Sequence, residues 1–257
     1  MSTPGNLSVD DPSAPFTAQT PEYRARRVLR TIRERIGDDP VFLPVVLRAT
    51  PTGTVRQIRD ETQIVIEGYP RSGNTFAFFA LKHAEALAGR EVEIASHVHT
   101  PSQVKLAVRL HYPTLVVIRT PLDAIVSLLI AAPHVRFDAA IAEWIHHHEE
   151  LIPYLDDVVV GAFDQVTDDF GAVTARVNDR FATDFARFRP TPEDTEAVFA
   201  AIEANHQVLH GGTENVVPRP SAARRAEKDW LLDQLAAPRY AGMLEHAAGV
   251  YDEYRRR

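Results

Sequence analysis

The sequence predicts a three-layer α/β/α fold around a central parallel sheet. Three observations carry that expectation. Four short apolar runs, QIVIE, VEIASHV, TLVVIR and DVVVGAF, recur between residues 63 and 163. Connections long enough to hold helices separate them, which parallel pairing requires. None shows the polar alternation of a strand with one wet face, so each reads as buried on both sides.

The elements follow in order. Residues 1–20 are rich in Pro, Ser, Thr and Asp and are expected to be disordered, with 21–257 forming one domain. PEYRARRVLRTIRERIG reads as a basic helix with Pro21 near its start and Gly37 near its end; its arginines suit a solvated face. VFLPVVLRATPTGTV stays ambiguous, since Pro44 argues against a regular central strand. The alternation then begins. QIVIE is a strand, and NTFAFFALKHAEALAG a helix ended by Gly89. VEIASHV is a strand, and PSQVKLAVRLH a helix opened by Thr100 as cap and Pro101 at its first position. TLVVIR precedes the helix PLDAIVSLLIAA, RFDAAIAEWIHHHEELIPYL forms another, and DVVVGAF is the fourth strand. The remainder reads as helix: DFGAVTARVNDRF, TPEDTEAVFAAIEANHQVLH, RPSAARRAEKDWLLDQLAAP and a charged C-terminal segment. No internal repeat is visible.

Composition excludes several classes of function. An apolar content of 45 % is ample for a packed core. A net charge of −7 argues against a general nucleic-acid coat, so any anion site is local. The absence of cysteine rules out disulfides and thiolate metal sites and fits a reducing compartment. No segment has the length of a membrane span and the N-terminus lacks a signal-like pattern, so a soluble, cytoplasmic protein is expected.

EGYPRSGNTF, Glu67 to Phe76, follows the first strand and opens a helix. Gly68, Gly73 and Thr75 have the spacing of a phosphate-binding loop, but Asn74 stands where its lysine belongs. The nearby cation is Arg71, three residues earlier. At the junction of a strand and a helix N-terminus, the amides of Ser72 to Thr75 would point at an anion, and Gly73 permits close approach. A turn that merely caps its own helix is the plain alternative. In ATP-using enzymes the lysine reaches the terminal phosphates, so its loss argues against an ordinary ATPase.

LVVIRTPLDAIVSLL holds a second constellation. Arg119 ends the third strand, and Ser127 lies eight residues on, a little over two helical turns, where it can look back toward Arg119. Thr120 and Pro121 read as cap and first helical position, with Asp123 in the first turn. Taken alone, Arg119 in an internal ion pair and Ser127 bonded to its own helix explain the pattern as well. Beside the first loop, they suggest a second phosphate site.

Two separated anion sites, with arginine rather than lysine and magnesium, describe a donor such as 3′-phosphoadenosine 5′-phosphosulfate. Here the chain resembles the sulfotransferase family, whose fold is P-loop NTPase-like. YPRSGNTF is similar to the family's 5′-phosphosulfate loop, Tyr-Pro-Lys/Arg-Ser-Gly-Thr-Thr-Trp. The resemblance implies Arg71 as its basic residue, Ser72, Gly73, Asn74 and Thr75 as its cradle, and Phe76 as an adenine-stacking aromatic. IRTPLDAIVS is similar to the 3′-phosphate motif Arg-x-Pro-x-Asp-x-x-x-Ser, which implies Arg119 and Ser127 as ligands. GAFDQVTDDF resembles a strand ending in Tyr-Glu-Asp-Leu and puts Phe163 at another adenine-contacting position. The resemblance is specific from residue 64 to about 130 and weaker over 157–190. The family's C-terminal Arg-Lys-Gly-x-x-Gly motif is absent; VPRPSAARRAEK offers Arg219, Ser221, Arg224 and Arg225 as candidates for closing the 3′-phosphate site. Its dimerisation motif is not recognisable either, which leaves the oligomeric state open.

The resemblance also implies a histidine base in a Lys-Thr-His-Leu-Pro-like segment. IASHVHTPSQ puts His99 at that position and His97 where lysine is usual. In extended backbone, residues two apart point to one side, so both imidazoles are expected to face one cleft. Histidine suits proton transfer near neutral pH, although a lone histidine at a strand end is more often a structural hydrogen-bonder. His146, His147 and His148, with Glu150, lack the spacing of a helical zinc site and read as structural or surface residues. The sequence therefore points to sulfuryl transfer to a hydroxyl or amine of a small-molecule acceptor. The resemblance implies His99 as the base, His97 as a residue that orients the acceptor or shares the proton, Arg71 as the partner of the leaving-group charge, and a reaction that needs no metal. Two rivals are an ATP-dependent phosphotransferase with Asp164 on magnesium, and a nucleotide-binding module without catalysis. Neither a nucleic-acid partner nor stable membrane insertion is expected.

Overall fold

The structure is a computed structural model and describes residues 25, 28–30, 32, 36–44, 57–210 and 222–257. The N-terminal segment expected to be disordered lies outside the described residues. So does most of the basic helix, which is helical at the positions described.

Four strands form the sheet: β1 (Ile64–Glu67), β2 (Ile94–Ser96), β3 (Thr114–Ile118) and β4 (Val159–Ala162). Their order is β2-β1-β3-β4 and every pairing is parallel. The register pairs Ile66 with Ser96 on one side and Leu115 on the other, so β1 and its following loop sit mid-sheet. Nine helices among the described residues cover it: α1 (Asn74–Leu87), α2 (Pro101–Arg109), α3 (Pro121–Ala131), α4 (Phe137–Glu149), α5 (Phe163–Asp168), α6 (Phe170–Phe181), α7 (Pro192–His210), α8 (Ala222–Leu235) and α9 (Pro238–Arg255).

Alternate strand residues feed opposite cores, as the two-residue period of a strand dictates. Ile64, Ile66, Leu115, Val117 and Val159 pack with α1, α6 and α7. Val116, Ile118 and Val160 pack with α3, α4, α8 and α9, while Val65 and Ala95 meet Ala107 of α2. The expected three-layer α/β/α fold with a central parallel sheet is therefore the one observed. Trp144 of α4 is fully buried in the larger core; truncation to alanine would cost ~3–5 kcal/mol.

Element ends show where local chemistry acts. Gly89, at φ 72°, ends α1 by a left-handed turn in which the Arg90 amide reaches back to the Glu85 carbonyl. α2 stops at Arg109 rather than at the expected His111, which is itself left-handed at φ 61°. The single helix expected over 136–155 divides, with α4 ending at Glu149 and a 3₁₀ segment over Ile152–Asp157 that holds Pro153 in its first turn. Proline fits a first turn but not a helix interior. Thr191 opens α7 with a reciprocal cap: its hydroxyl accepts the Asp194 amide and donates to the Asp194 carboxylate. Among the described residues, no helix is long and apolar enough to cross a membrane.

Candidate functional site

The loop between β1 and α1 is held by side-chain bonds where a lysine-bearing loop would bond its ligand. Asn74, the residue in the lysine's place, donates from Nδ2 to the carbonyls of Gly68 (3.2 Å) and Tyr69 (3.1 Å), and the Ser72 amide donates to the Tyr69 carbonyl (3.2 Å). Asn74 is therefore a structural brace. Gly68 is required because a Cβ there would lie 2.1 Å from the Val117 carbonyl oxygen. Gly73 caps α1 at φ 101°, and an added Cβ would meet the Phe163 ring at 3.2 Å. With no side chain at the cap, the first-turn amides of α1 receive no side-chain acceptor from it, and the helix leaves them outside its own ladder. Ser72 Oγ is buried and has no hydrogen-bond partner among the described residues. An orphaned buried hydroxyl beside helix-terminal amides suits an anion ligand.

The two cation motifs meet at this loop. Arg71, left-handed at φ 71°, donates from Nε to Ser127 Oγ of α3 at 3.0 Å. Arg119, just past β3, donates from Nη1 to the Arg71 carbonyl at 3.2 Å and lies 4.3 Å over the Phe163 ring. Burial pulls the Arg119 guanidinium below its ordinary value, and the charge of Asp123 opposes that pull. Arginine stays cationic through such shifts. Asp123 does not turn inward: it takes Thr120 Oγ1 at 2.9 Å and Lys228 Nζ at 3.0 Å. Burial pushes its carboxyl up, but these bonds and the charges of Lys228 and Arg119 hold it below the usual range. Thr120 thus spends its hydroxyl on Asp123 and makes no side-chain cap bond to α3.

The histidine pair reaches its position by a route unlike the expected one. β2 ends at Ser96, and both His97 (φ 64°) and His99 (φ 57°) are left-handed. Extended alternation therefore does not bring them together; two successive left-handed turns do. Their ring centroids lie 5.6 Å apart. His99 Nδ1 is 2.9 Å from the Gly68 carbonyl. A carbonyl only accepts, so Nδ1 carries the proton and the neutral ring's lone pair is on Nε2. His97 meets Ser96 Oγ through Nδ1 (2.6 Å) and Thr75 Oγ1 through Nε2 (3.2 Å). The site thus joins Arg71, Thr75, His97, His99, Arg119, Ser127 and Phe163 around one loop.

One residue in this constellation was not singled out from the sequence. Glu67, the last of β1, is 1 % exposed. It accepts the amides of Val98 (2.8 Å) and His99 (3.1 Å) and the Gln103 side-chain amide (2.9 Å). Burial pushes its carboxyl up to about 7 against the lowering effect of these donors. The available signal was a charged residue closing an otherwise apolar strand.

Other expected residues fall elsewhere. Phe76 is buried, with its ring against Phe188 (6.0 Å) and Phe199 (5.8 Å). In this arrangement it is a core residue of the α1–α7 contact, and Phe163 is the aromatic beside the loop. Arg219 and Ser221 lie outside the described residues; Arg224 falls in α8, and only its backbone is described there. Arg225 is exposed on the same helix. Asp164, the magnesium carboxylate of the ATP reading, is largely exposed and 3.7 Å from Arg255. His146 is half exposed and meets Asp38 at 2.8 Å. Asp38, His146 and Glu150 could together hold a cation, but Lys105 Nζ already sits 2.5 Å from Glu150. His148 is fully buried, stacks 3.9 Å over Trp144 and donates from Nδ1 to the Trp144 carbonyl. Burial pushes it down to about 3, so it is a neutral core histidine.

No family model and no curated protein matches this chain. Among solved structures it is similar to a crystal structure of mouse sulfotransferase SULT7A1 complexed with PAP, at 13 % identity and a TM-score of 0.40, covering 74 % of this chain and 90 % of that one. A match of that depth is a partial overlap of backbone and says nothing of this chain's own chemistry.

Proposed function

We propose that this chain is a sulfotransferase that moves a sulfuryl group from 3′-phosphoadenosine 5′-phosphosulfate to a hydroxyl, or an amine, of a small-molecule acceptor. The observation that carries the reading is the Arg71–Ser127 bond. It gathers two arginine motifs onto one helix-terminal loop in which the lysine position is spent on bracing. The 5′ end of the donor belongs at Ser72, Gly73, Asn74 and Thr75, where first-turn amides and the orphaned Ser72 hydroxyl meet negative charge. The 3′-phosphate belongs to Arg119 and Ser127. A hydroxyl that accepts from Arg71 retains its own proton for a phosphate oxygen, so Ser127 can serve both motifs. Phe163, fixed between Gly73 and Arg119, supplies the contact to the base.

The reaction is an in-line displacement, so the protein's work is alignment and charge stabilisation. The acceptor oxygen bonds to sulfur as the bond from sulfur to the bridging phosphate oxygen breaks. His99 Nε2 takes the acceptor's proton, and Arg71 meets the charge that develops on the leaving oxygen. His97, beside Thr75, orients the acceptor. No metal is required, because an arginine and helix amides meet the leaving-group charge. Incubating the protein with radiolabelled donor and a panel of alcohols, phenols, sugars and lipids tests the proposal. Label transfer without added magnesium is expected. Donor-product binding with no transfer to any acceptor would mark a binding module, and dependence on ATP with magnesium would mark a phosphotransferase.

A further inference from the structure

Glu67 holds the histidine segment by its backbone amides. Its Oε1 accepts the Val98 amide and the Gln103 side chain, its Oε2 accepts the His99 amide, and the same Oε2 lies 4.0 Å from His99 Nδ1. The next residue, Gly68, takes the His99 ring proton on its carbonyl. Two consecutive residues at the end of β1 therefore grip His99 by its amide and by its ring. The grip has a cost to offset: non-glycine residues in the left-handed region, as His97 and His99 are, are strained and persist only where surroundings over-determine them. Val98, His99 and Gln103 all donate to Glu67, and above about pH 7, where its carboxyl is ionised, both oxygens act as acceptors only.

We propose that Glu67 is the positioning residue for His99: it holds the 97–99 segment in its left-handed path, which keeps the ring proton on the Gly68 carbonyl as the Nδ1–H tautomer, so that Nε2 faces the acceptor. This rests on the reading of His99 as the base. Above about pH 7 the ionised Glu67 also places its charge beside the ring when Nε2 takes a proton, and that charge favours the imidazolium that forms. The titratable groups facing the carboxylate are His99 at 4.0 Å and, one ring further on, His97.

The test uses full-length protein with ¹⁵N-labelled histidine, bound to 3′-phosphoadenosine 5′-phosphate, with the His99 signals assigned by their loss in His99→Gln. Two-bond ¹H–¹⁵N spectra at pH 8 should show His99 of the wild type as the Nδ1–H tautomer. In Glu67→Gln that signature should give way to a mixture containing Nε2–H, with nucleotide affinity unchanged within about threefold. Gln103→Met, which removes a single donor to Glu67, should shift the signature in the same direction and keeps the question open to measurement if Glu67→Gln does not fold. An unchanged His99 tautomer in both variants overturns the proposal. So does a loss of nucleotide affinity in step with the tautomer, since Glu67 would then only hold the loop together. Failure of the parent reading looks different: active His99→Ala would remove the base assignment while the tautomer signature still reports the hold of Glu67 on the ring.

Discussion

Arg71 and Ser127 stand 56 residues apart in sequence and meet at 3.0 Å, guanidinium Nε to hydroxyl Oγ. The first belongs to the loop after β1 and the second to the helix after β3, so what the sequence presents as two anion motifs is one joined surface. Ser127→Ala removes the acceptor that aims Arg71 and, in the proposed function, a donor to the 3′-phosphate. One charge-assisted bond is worth about 1.5–3 kcal/mol, so affinity for 3′-phosphoadenosine 5′-phosphate should fall at least ~tenfold. Calorimetry checks this; an unchanged affinity would mean that the contact is structural only.

Arg71 should act chiefly on the chemical step. Its interaction strengthens as charge develops on the leaving oxygen, so Arg71→Ala is expected to lower kcat by roughly 10²–10³ while raising the donor KM far less. Steady-state kinetics in which KM rises and kcat holds would make Arg71 a uniform binding residue.

The two histidines are separable. Losing a positioned general base costs roughly 10²–10⁴ in rate, and His99→Ala should show that loss with nucleotide binding retained. His97 meets Ser96 and Thr75, so His97→Ala should weaken transfer less. Comparing kcat and nucleotide affinity for the pair decides the roles. If His97→Ala is the inactive enzyme and His99→Ala turns over, the assignments exchange; normal turnover in both removes the catalytic half of the account.

Buried groups give opposing pH dependences. The Glu67 carboxyl, raised by burial from 4.5 to about 7, binds its proton more tightly in the folded chain than in the unfolded one. Folded-state stability from this group is therefore greatest below pH 4.5 and is lost as pH climbs to about 7, an excursion of ~3 kcal/mol. His148 runs the other way. Burial lowers it from 6.5 to about 3, so the unfolded chain takes the proton first and stability falls as pH drops through that range. Between pH 4.5 and 6.5 the two slopes oppose each other. Glu67→Gln removes one of them, so the stability of the variant relative to wild type should rise with pH across this window in urea unfolding. Parallel curves for the two proteins would show that Glu67 does not titrate there.

The sheet was legible because buried parallel strands leave unbroken apolar runs, and TLVVI and VVGA appear as strands within the segments marked for them. The loop was legible because glycine spacing reports backbone requirements, which Gly68 meets against the Val117 carbonyl and Gly73 against Phe163. What escaped is what depends on distant contacts. Phe76 fits the motif's adenine-stacking position only until α7 supplies Phe199 and the preceding chain Phe188. The histidine pair was found by a motif, but its geometry comes from left-handed turns that no period in the sequence encodes. Glu67 is ordinary as a letter and becomes informative only when Val98, His99 and Gln103 arrive from 31 to 36 residues away.

The measurement closest to the central claim compares 3′-phosphoadenosine 5′-phosphate with AMP by calorimetry, without magnesium, on the wild type and on Arg119→Ala. Arg119 is fixed by the Arg71 carbonyl and by Phe163, and a charge-assisted contact from it to a 3′-phosphate is worth about 1.5–3 kcal/mol. The 3′-phosphorylated nucleotide should bind at least ~tenfold more tightly than AMP to the wild type, and Arg119→Ala should erase most of this preference. Equal affinity of the wild type for both nucleotides would contradict the claim.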